Sequence, residues 1–129
     1  MIAVGTDILQ INRIAEVVDR QGDKFAQRIL APQELQEYRD SKLGLRFLAK
    51  RYAAKEAVSK CLGTGIGRGV SWQHILIDHD DMGAPVVILS EGAAAAAHVK
   101  GGNRIALSIS DESDYVVAFA VLWRDDGLK

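Results

Sequence analysis

Apolar and polar positions alternate over residues 2–9. Ile2, Val4, Thr6 and Ile8 fall on one side, and Ala3, Gly5, Asp7 and Leu9 on the other, which is the period of a β-strand. The period then lengthens. Ile11, Ile14, Ala15 and Val18 recur at i, i+3, i+4 and i+7, predicting a helix over 11–20 with one buried stripe. Gln21-Gly22-Asp23 interrupts it, and a second short helix follows over 24–30. Pro32 suits the first position of a third, running to about Asp40, with 41–44 as a loop. The longest helical pattern spans about 45–62. Beyond it the pattern predicts a strand over 70–79, a turn over 80–85 and a returning strand over 86–89. An alanine-rich helix capped by Ser90 covers about 91–100. Strands around Ile105–Ile109 and over 115–123 close the chain, and 125–129 read as a frayed end. With no linker or repeat, residues 1–129 are expected to form one domain.

Two acids sit oddly in this pattern. Asp7 shares a strand face with Ala3, Gly5 and Leu9, where it either caps the following helix or serves a site. On the long helix, Leu45, Leu48, Ala49, Tyr52 and Ala53 project as one stripe at about 100° per residue. Glu56 continues that stripe and Lys60 lies one turn further on. A carboxylate on a buried face is costly unless paired or bound to metal. An i, i+4 salt bridge to Lys60 contributes only about 0.2–0.5 kcal/mol on a surface helix, too little to account for the placement. Gly63, a natural helix cap, opens the run Gly63, Gly65, Gly67, Gly69. These glycines follow a helix and so meet its negative end, the opposite polarity to a phosphate-binding loop. Any phosphate held there takes its positive charge from side chains such as Lys60 and Arg51.

Composition changes the picture little. Hydrophobic residues make up 48% of 129 and charged residues 26%, an ordinary soluble balance. One cysteine, Cys61, excludes an internal disulfide and points to a reducing compartment. The segment MIAVGTDILQ lacks a basic leader region and carries Asp7 within its apolar run, so it reads as neither signal peptide nor membrane span, and the expected location is cytoplasmic. A net charge of −1 argues against nucleic acid as a partner. Charge is uneven, however. Basic residues gather between Arg13 and Lys60 and acids thicken after Asp78, so an anionic ligand or acidic partner suits the first half. Arg13, Val17 and Arg20 share one face of the first helix, and a valine exposed between two arginines suits an acidic, amphipathic partner helix. His74, His79 and His98 show no zinc spacing with Cys61, and no nucleophile motif is present, which argues against nucleophilic catalysis.

The strand Gly5-Thr6-Asp7-Ile8 and the stretch from Phe47 to Gly65, FLAKRYAAKEAVSKCLGTG, together resemble the holo-acyl-carrier-protein synthases, the small type of 4′-phosphopantetheinyl transferase. Gly83-x-Pro85 and the Ser108-Ile109-Ser110 sequence before the last strand continue the likeness, which covers nearly the whole chain.

The resemblance implies the α+β fold of that family, an antiparallel sheet packed on one long helix plus shorter helices, and transfer of 4′-phosphopantetheine from coenzyme A to a serine of apo-acyl carrier protein, releasing 3′,5′-ADP in support of fatty acid biosynthesis. It implies that Asp7 and Glu56 bind Mg²⁺ with the pyrophosphate of coenzyme A, and that Lys60 stabilises phosphate charge. Arg51, Gly63, Gly65 and Pro85 are the further coenzyme contacts it implies. The serine proton goes to Glu56 or to a water on the metal. Carrier docking falls to Arg13, Val17 and Arg20, followed by Lys24, Phe25 and Arg28, and the family implies a homotrimer with coenzyme A between subunits. One departure is Ala106, where many members carry a histidine. Two alternatives stay open at this point: phosphate hydrolysis by the same two carboxylates, and a binding module without catalysis.

Overall fold

The computed structural model describes residues 1–127. Strand β1, Ala3–Gln10, runs directly into α1, Ile11–Gln21. Three more helices follow, α2 Asp23–Ile29, α3 Pro32–Asp40 and α4 Gly44–Cys61. The hairpin of β2, Ile75–His79, and β3, Pro85–Leu89, precedes α5, Glu91–Val99, and the chain ends in β4, Arg104–Asp111, and β5, Tyr115–Trp123. All pairings are antiparallel, but they form two sheets. One has the order β1-β5-β4, and the other is the β2-β3 hairpin.

The central helix α4 packs on β1 and β5 and also reaches α1, α3 and β2. On the inner face of the three-stranded sheet, Gly5 pairs with Ala120, Asp7 with Ala118 and Leu9 with Val116. Small residues there let the helix come close. A Cβ on Gly5 would lie 2.1 Å from the Ala57 carbonyl oxygen and 2.6 Å from the Cys61 nitrogen, so β1 and α4 touch backbone to backbone. The same closeness lets the Cys61 thiol donate to the Ala3 carbonyl at 3.2 Å.

The helix-face projection requires correction. Leu48, Ala49, Arg51, Ala53, Ala54, Lys55, Ala57, Val58, Ser59 and Cys61 are all buried, so α4 is enclosed over most of its circumference. The line Leu45, Tyr52, Glu56, Lys60 is its more open side, with Leu45 and Lys60 exposed and Tyr52 and Glu56 half-buried. Leu48, Ala49 and Ala53 of the projected stripe are buried as expected, but Ala54 and Ala57, which it left out, are buried as well.

Several boundaries also differ. Trp72–His74 is a 3₁₀ turn and the strand begins at Ile75, because the Ser71 hydroxyl accepts the Gln73 N–H and the Ser71 N–H bonds His74 Nδ1. Ser90 stands at the start of α5, but its hydroxyl donates to the His74 carbonyl and leaves the helix uncapped by a side chain. The end expected to fray is anchored at Asp125, whose backbone exchanges two 2.8 Å bonds with the Asn103 amide. Positions 128 and 129 of that end lie outside the described residues. Among the described residues no helix is long and apolar enough to cross a membrane.

Candidate active site

Asp7 points from the inner face of β1 toward the open side of α4. It does not cap α1, whose first residues have no side-chain cap. Its Oδ1 accepts the Lys60 ammonium at 3.1 Å, and Lys60 donates also to the Thr6 carbonyl at 3.0 Å. The i, i+4 bridge from Lys60 to Glu56 is not formed; the ammonium is taken up by a carboxylate and a carbonyl of β1 instead.

Glu56 lines the same cavity as Asp7, a space of about 330 Å³. Burial raises its carboxyl above the ordinary range, the Asp7 carboxylate raises it further, and Lys60 opposes both. Arg13, Val17 and Phe25 close the cavity on the side of α1 and α2. Val17 is thus half-buried and not the exposed valine expected, and Phe25, at 5% exposure, is floor rather than docking surface. Both turn inward because the cavity between α1 and β1 supplies an apolar wall. Arg20 and Lys24 are exposed, and Arg28 is exposed with its guanidinium on the Gln21 side chain at 3.2 Å.

Tyr52 was not expected and completes the cavity. Its ring lies between Phe25 and Trp72, at 5.9 and 5.1 Å between centroids. Burial, then Glu56 and Asp7, push its hydroxyl above the usual tyrosine range. Its i, i+4 spacing to Glu56 was the available signal.

Arg51 lies elsewhere. It is buried against α3, 3.4 Å from Glu34 and 3.3 Å from Glu37, with its guanidinium 4.5 Å over the Phe47 ring. It and Pro85 line a second cavity of about 340 Å³ together with Arg46, Lys50 and His79. Arg46 and Lys50, also missed, are an i, i+4 basic pair on α4. Asp111 holds both, at 2.8 Å from Arg46 and 3.6 Å from Lys50, and the bond to Arg46 keeps its carboxyl below the usual range. Gly63 and Gly65 follow α4 with φ of 81° and 63°, and the Gly65 N–H caps the Ser59 carbonyl at 3.1 Å. They form the helix-ending turn and do not line the Asp7–Glu56 cavity. Ala106 is exposed on β4 opposite Val121.

The chain thus carries a two-carboxylate cavity bordered by Arg13 of α1 and, on a different side of α4, a cavity lined by Arg46, Lys50 and Arg51. Known proteins share this arrangement of chain. The profile of the 4′-phosphopantetheinyl transferase superfamily matches residues 3–120. The holo-[acyl-carrier-protein] synthase of Shewanella frigidimarina is 52% identical over 122 residues, spanning 95% of this chain and 97% of that protein. The crystal structure of the holo-[acyl-carrier-protein] synthase of Neisseria meningitidis superposes with a TM-score of 0.89 at 42% identity, covering 96% of this chain and 100% of that one. The Helicobacter pylori holo-[acyl-carrier-protein] synthase, solved in complex with coenzyme A, gives 0.80 at 32% identity over 92% of this chain and 98% of that one. With one profile over most of its length and full-length relatives in sequence and structure, the chain belongs to the 4′-phosphopantetheinyl transferase superfamily, among the holo-[acyl-carrier-protein] synthases.

Proposed function

We propose that this enzyme transfers 4′-phosphopantetheine from coenzyme A to a serine hydroxyl of apo-acyl carrier protein, in the cytoplasm, as a Mg²⁺-dependent homotrimer supporting fatty acid biosynthesis. The observation that carries the reading is the shared cavity. Asp7 and Glu56 line it together, Lys60 sits on Asp7, and Arg13 of α1 stands at its rim.

The donor set fits Mg²⁺. Two hard carboxylate donors, with room for substrate oxygens and water, match a cation that rarely takes an all-protein cage. Asp7 and Glu56 would hold it, and when bound it neutralises charge on the pyrophosphate and the leaving nucleotide. Lys60, 49% exposed at its side chain, places an ammonium where transferring phosphate oxygens gain negative charge. The serine oxygen forms a new bond to the phosphorus that bears pantetheine, the bond from that phosphorus to 3′,5′-ADP breaks, and the serine proton leaves. Glu56, or a water in the cavity, would accept it.

The basic cavity suits the nucleotide end of the substrate, through Arg46, Lys50, Arg51 and Pro85. It lies on another side of α4 from Glu56, so one coenzyme molecule reaches both cavities most simply when they belong to neighbouring copies. An apolar outer sheet face supports association. Ile8 is 69% and Phe119 44% exposed there, beside exposed Val4, Val117 and Trp123.

Mixing the protein with apo-acyl carrier protein, coenzyme A and Mg²⁺ and weighing the carrier tests the reading. A phosphopantetheine mass gain is expected. Folded protein that gives none, or that consumes coenzyme A without carrier, overturns it in favour of hydrolysis.

A further inference from the structure

One residue before Glu56, the Lys55 ammonium is fully buried and donates to three oxygens: the Ile29 carbonyl at 2.7 Å, Glu34 Oε1 at 2.6 Å and the Trp72 carbonyl at 3.2 Å. Glu34 is equally buried. Its Oε1 accepts also the Ala31 N–H at 2.8 Å, and its Oε2 accepts the Ile77 N–H at 3.0 Å. The pair therefore ties α4 to the end of α2, the start of α3, the 3₁₀ turn and β2 through four backbone groups. The neighbouring Arg51 is less firmly placed, since its Nε lies 3.4 Å from Glu34 without an aligned hydrogen bond.

Two features explain why such a device is needed. The first is the surface α4 offers to the sheet. Ala53, Ala57, Gly5, Ala118 and Ala120 are small and smooth, so packing alone resists rotation or sliding weakly. The second is repulsion. Asp7 and Glu56 are like charges in one cavity, and rotation of α4 that moves Glu56 toward solvent would relieve it. A buried ion pair is a poor source of net stability, and apolar replacements of similar size often do as well or better. What directional bonds supply and apolar packing does not is a fixed register.

We infer that Lys55 and Glu34 are positioning residues that lock the rotation of α4, so that Glu56 faces Asp7 across the cavity. The inference rests on the reading of Asp7 and Glu56 as a cation-holding pair. It makes Lys55 a residue of the site's function without contact with substrate or metal.

The test replaces the pair by apolar residues, Glu34→Leu with Lys55→Met, and measures melting temperature, Mn²⁺ binding by electron paramagnetic resonance, and steady-state transfer. The expected result is a folded protein with a lower melting temperature than the parent, since four backbone groups and Arg51 lose partners, and with Mn²⁺ affinity and kcat each reduced roughly 10–100-fold, the range for outer-sphere supports of metal ligands. If that variant does not fold, Glu34→Gln is the second probe and should show a smaller loss in the same two readouts. A folded variant with parental Mn²⁺ affinity and kcat overturns the positioning role, as does failure of both variants to fold. Asp7→Ala, run in parallel, separates the two ideas. If it keeps Mn²⁺ binding and transfer, the cation-pair reading falls. If it loses both while the apolar pair keeps both, only the positioning role falls.

Discussion

Lys60 bridges two elements and does not reinforce one. Its ammonium lies 3.1 Å from Asp7 Oδ1 on β1, while Glu56, one turn earlier on its own helix, is left facing Asp7 across the cavity. The ammonium is thus shared between strand and helix, and in the proposed reaction it would meet phosphate charge there. Lys60→Met should slow phosphopantetheine transfer roughly 10²-fold, in the range for removing one preorganised donor, with the fold unchanged by circular dichroism. Asp7→Ala should do at least as much. Parental kcat in either variant would remove that residue from the reaction.

Glu56 gives a pH signature. In the metal-free protein its carboxyl is raised above the unfolded value, first by burial and then by Asp7. The folded state holds more protons than the unfolded state between those two values, so this group's contribution to stability falls as pH rises through that window. Glu56→Gln removes the effect. In the presence of a chelator, its melting temperature should exceed the parent's at neutral pH, with the gap closing below the ordinary glutamate range. Saturating Mg²⁺ should raise the parent's melting temperature but not the variant's. A gap that is constant with pH would contradict the assignment.

Arg13 lines the rim of the cavity on the docking side. Arg13→Glu should raise KM for the carrier with little change in kcat, and the penalty should shrink as salt is added, because steering between exposed charges is screened within about 10 Å at 0.1 M. A penalty that ignores salt would place docking elsewhere.

The outer sheet face makes assembly testable. Phe119 pairs with Thr6 across the strands and is flanked by Ile8 and Val4 on β1. Phe119→Asp should convert a trimer to monomer in light scattering or sedimentation, with loss of transfer if both cavities serve one coenzyme molecule. A variant that stays trimeric would exclude this face as the interface.

The sequence carried much of this arrangement in readable form. Period-two and period-3.6 patterns, with turn and capping residues, located the named strands and α-helices, although Trp72–His74, expected as strand, is a 3₁₀ turn. Asp7 was legible because an acid stood in an alternating strand, and Glu56 because an acid interrupted an apolar helix. The reason for Glu56 was misread, however. It stands on the open side of α4, and the buried side is built from alanines and a lysine that periodicity treats as unremarkable. Lys55 and Glu34 were hidden because 21 positions separate them, and only the folded chain brings them together. Val17 and Phe25 illustrate the same limit, since a helix face reads as exposed until the strand opposite it is known.

Gly5 gives the site a hard stop. The strand backbone already rests on the helix backbone there, with space for no atom beyond hydrogen. The distance between the elements carrying Asp7 and Glu56 cannot shrink, and every other residue at position 5 can only widen it. Under the proposed role of Asp7 and Glu56, the span open to a cation would be set by main-chain contact two residues from Asp7, and drift in the surrounding side chains can change the core without changing that gauge.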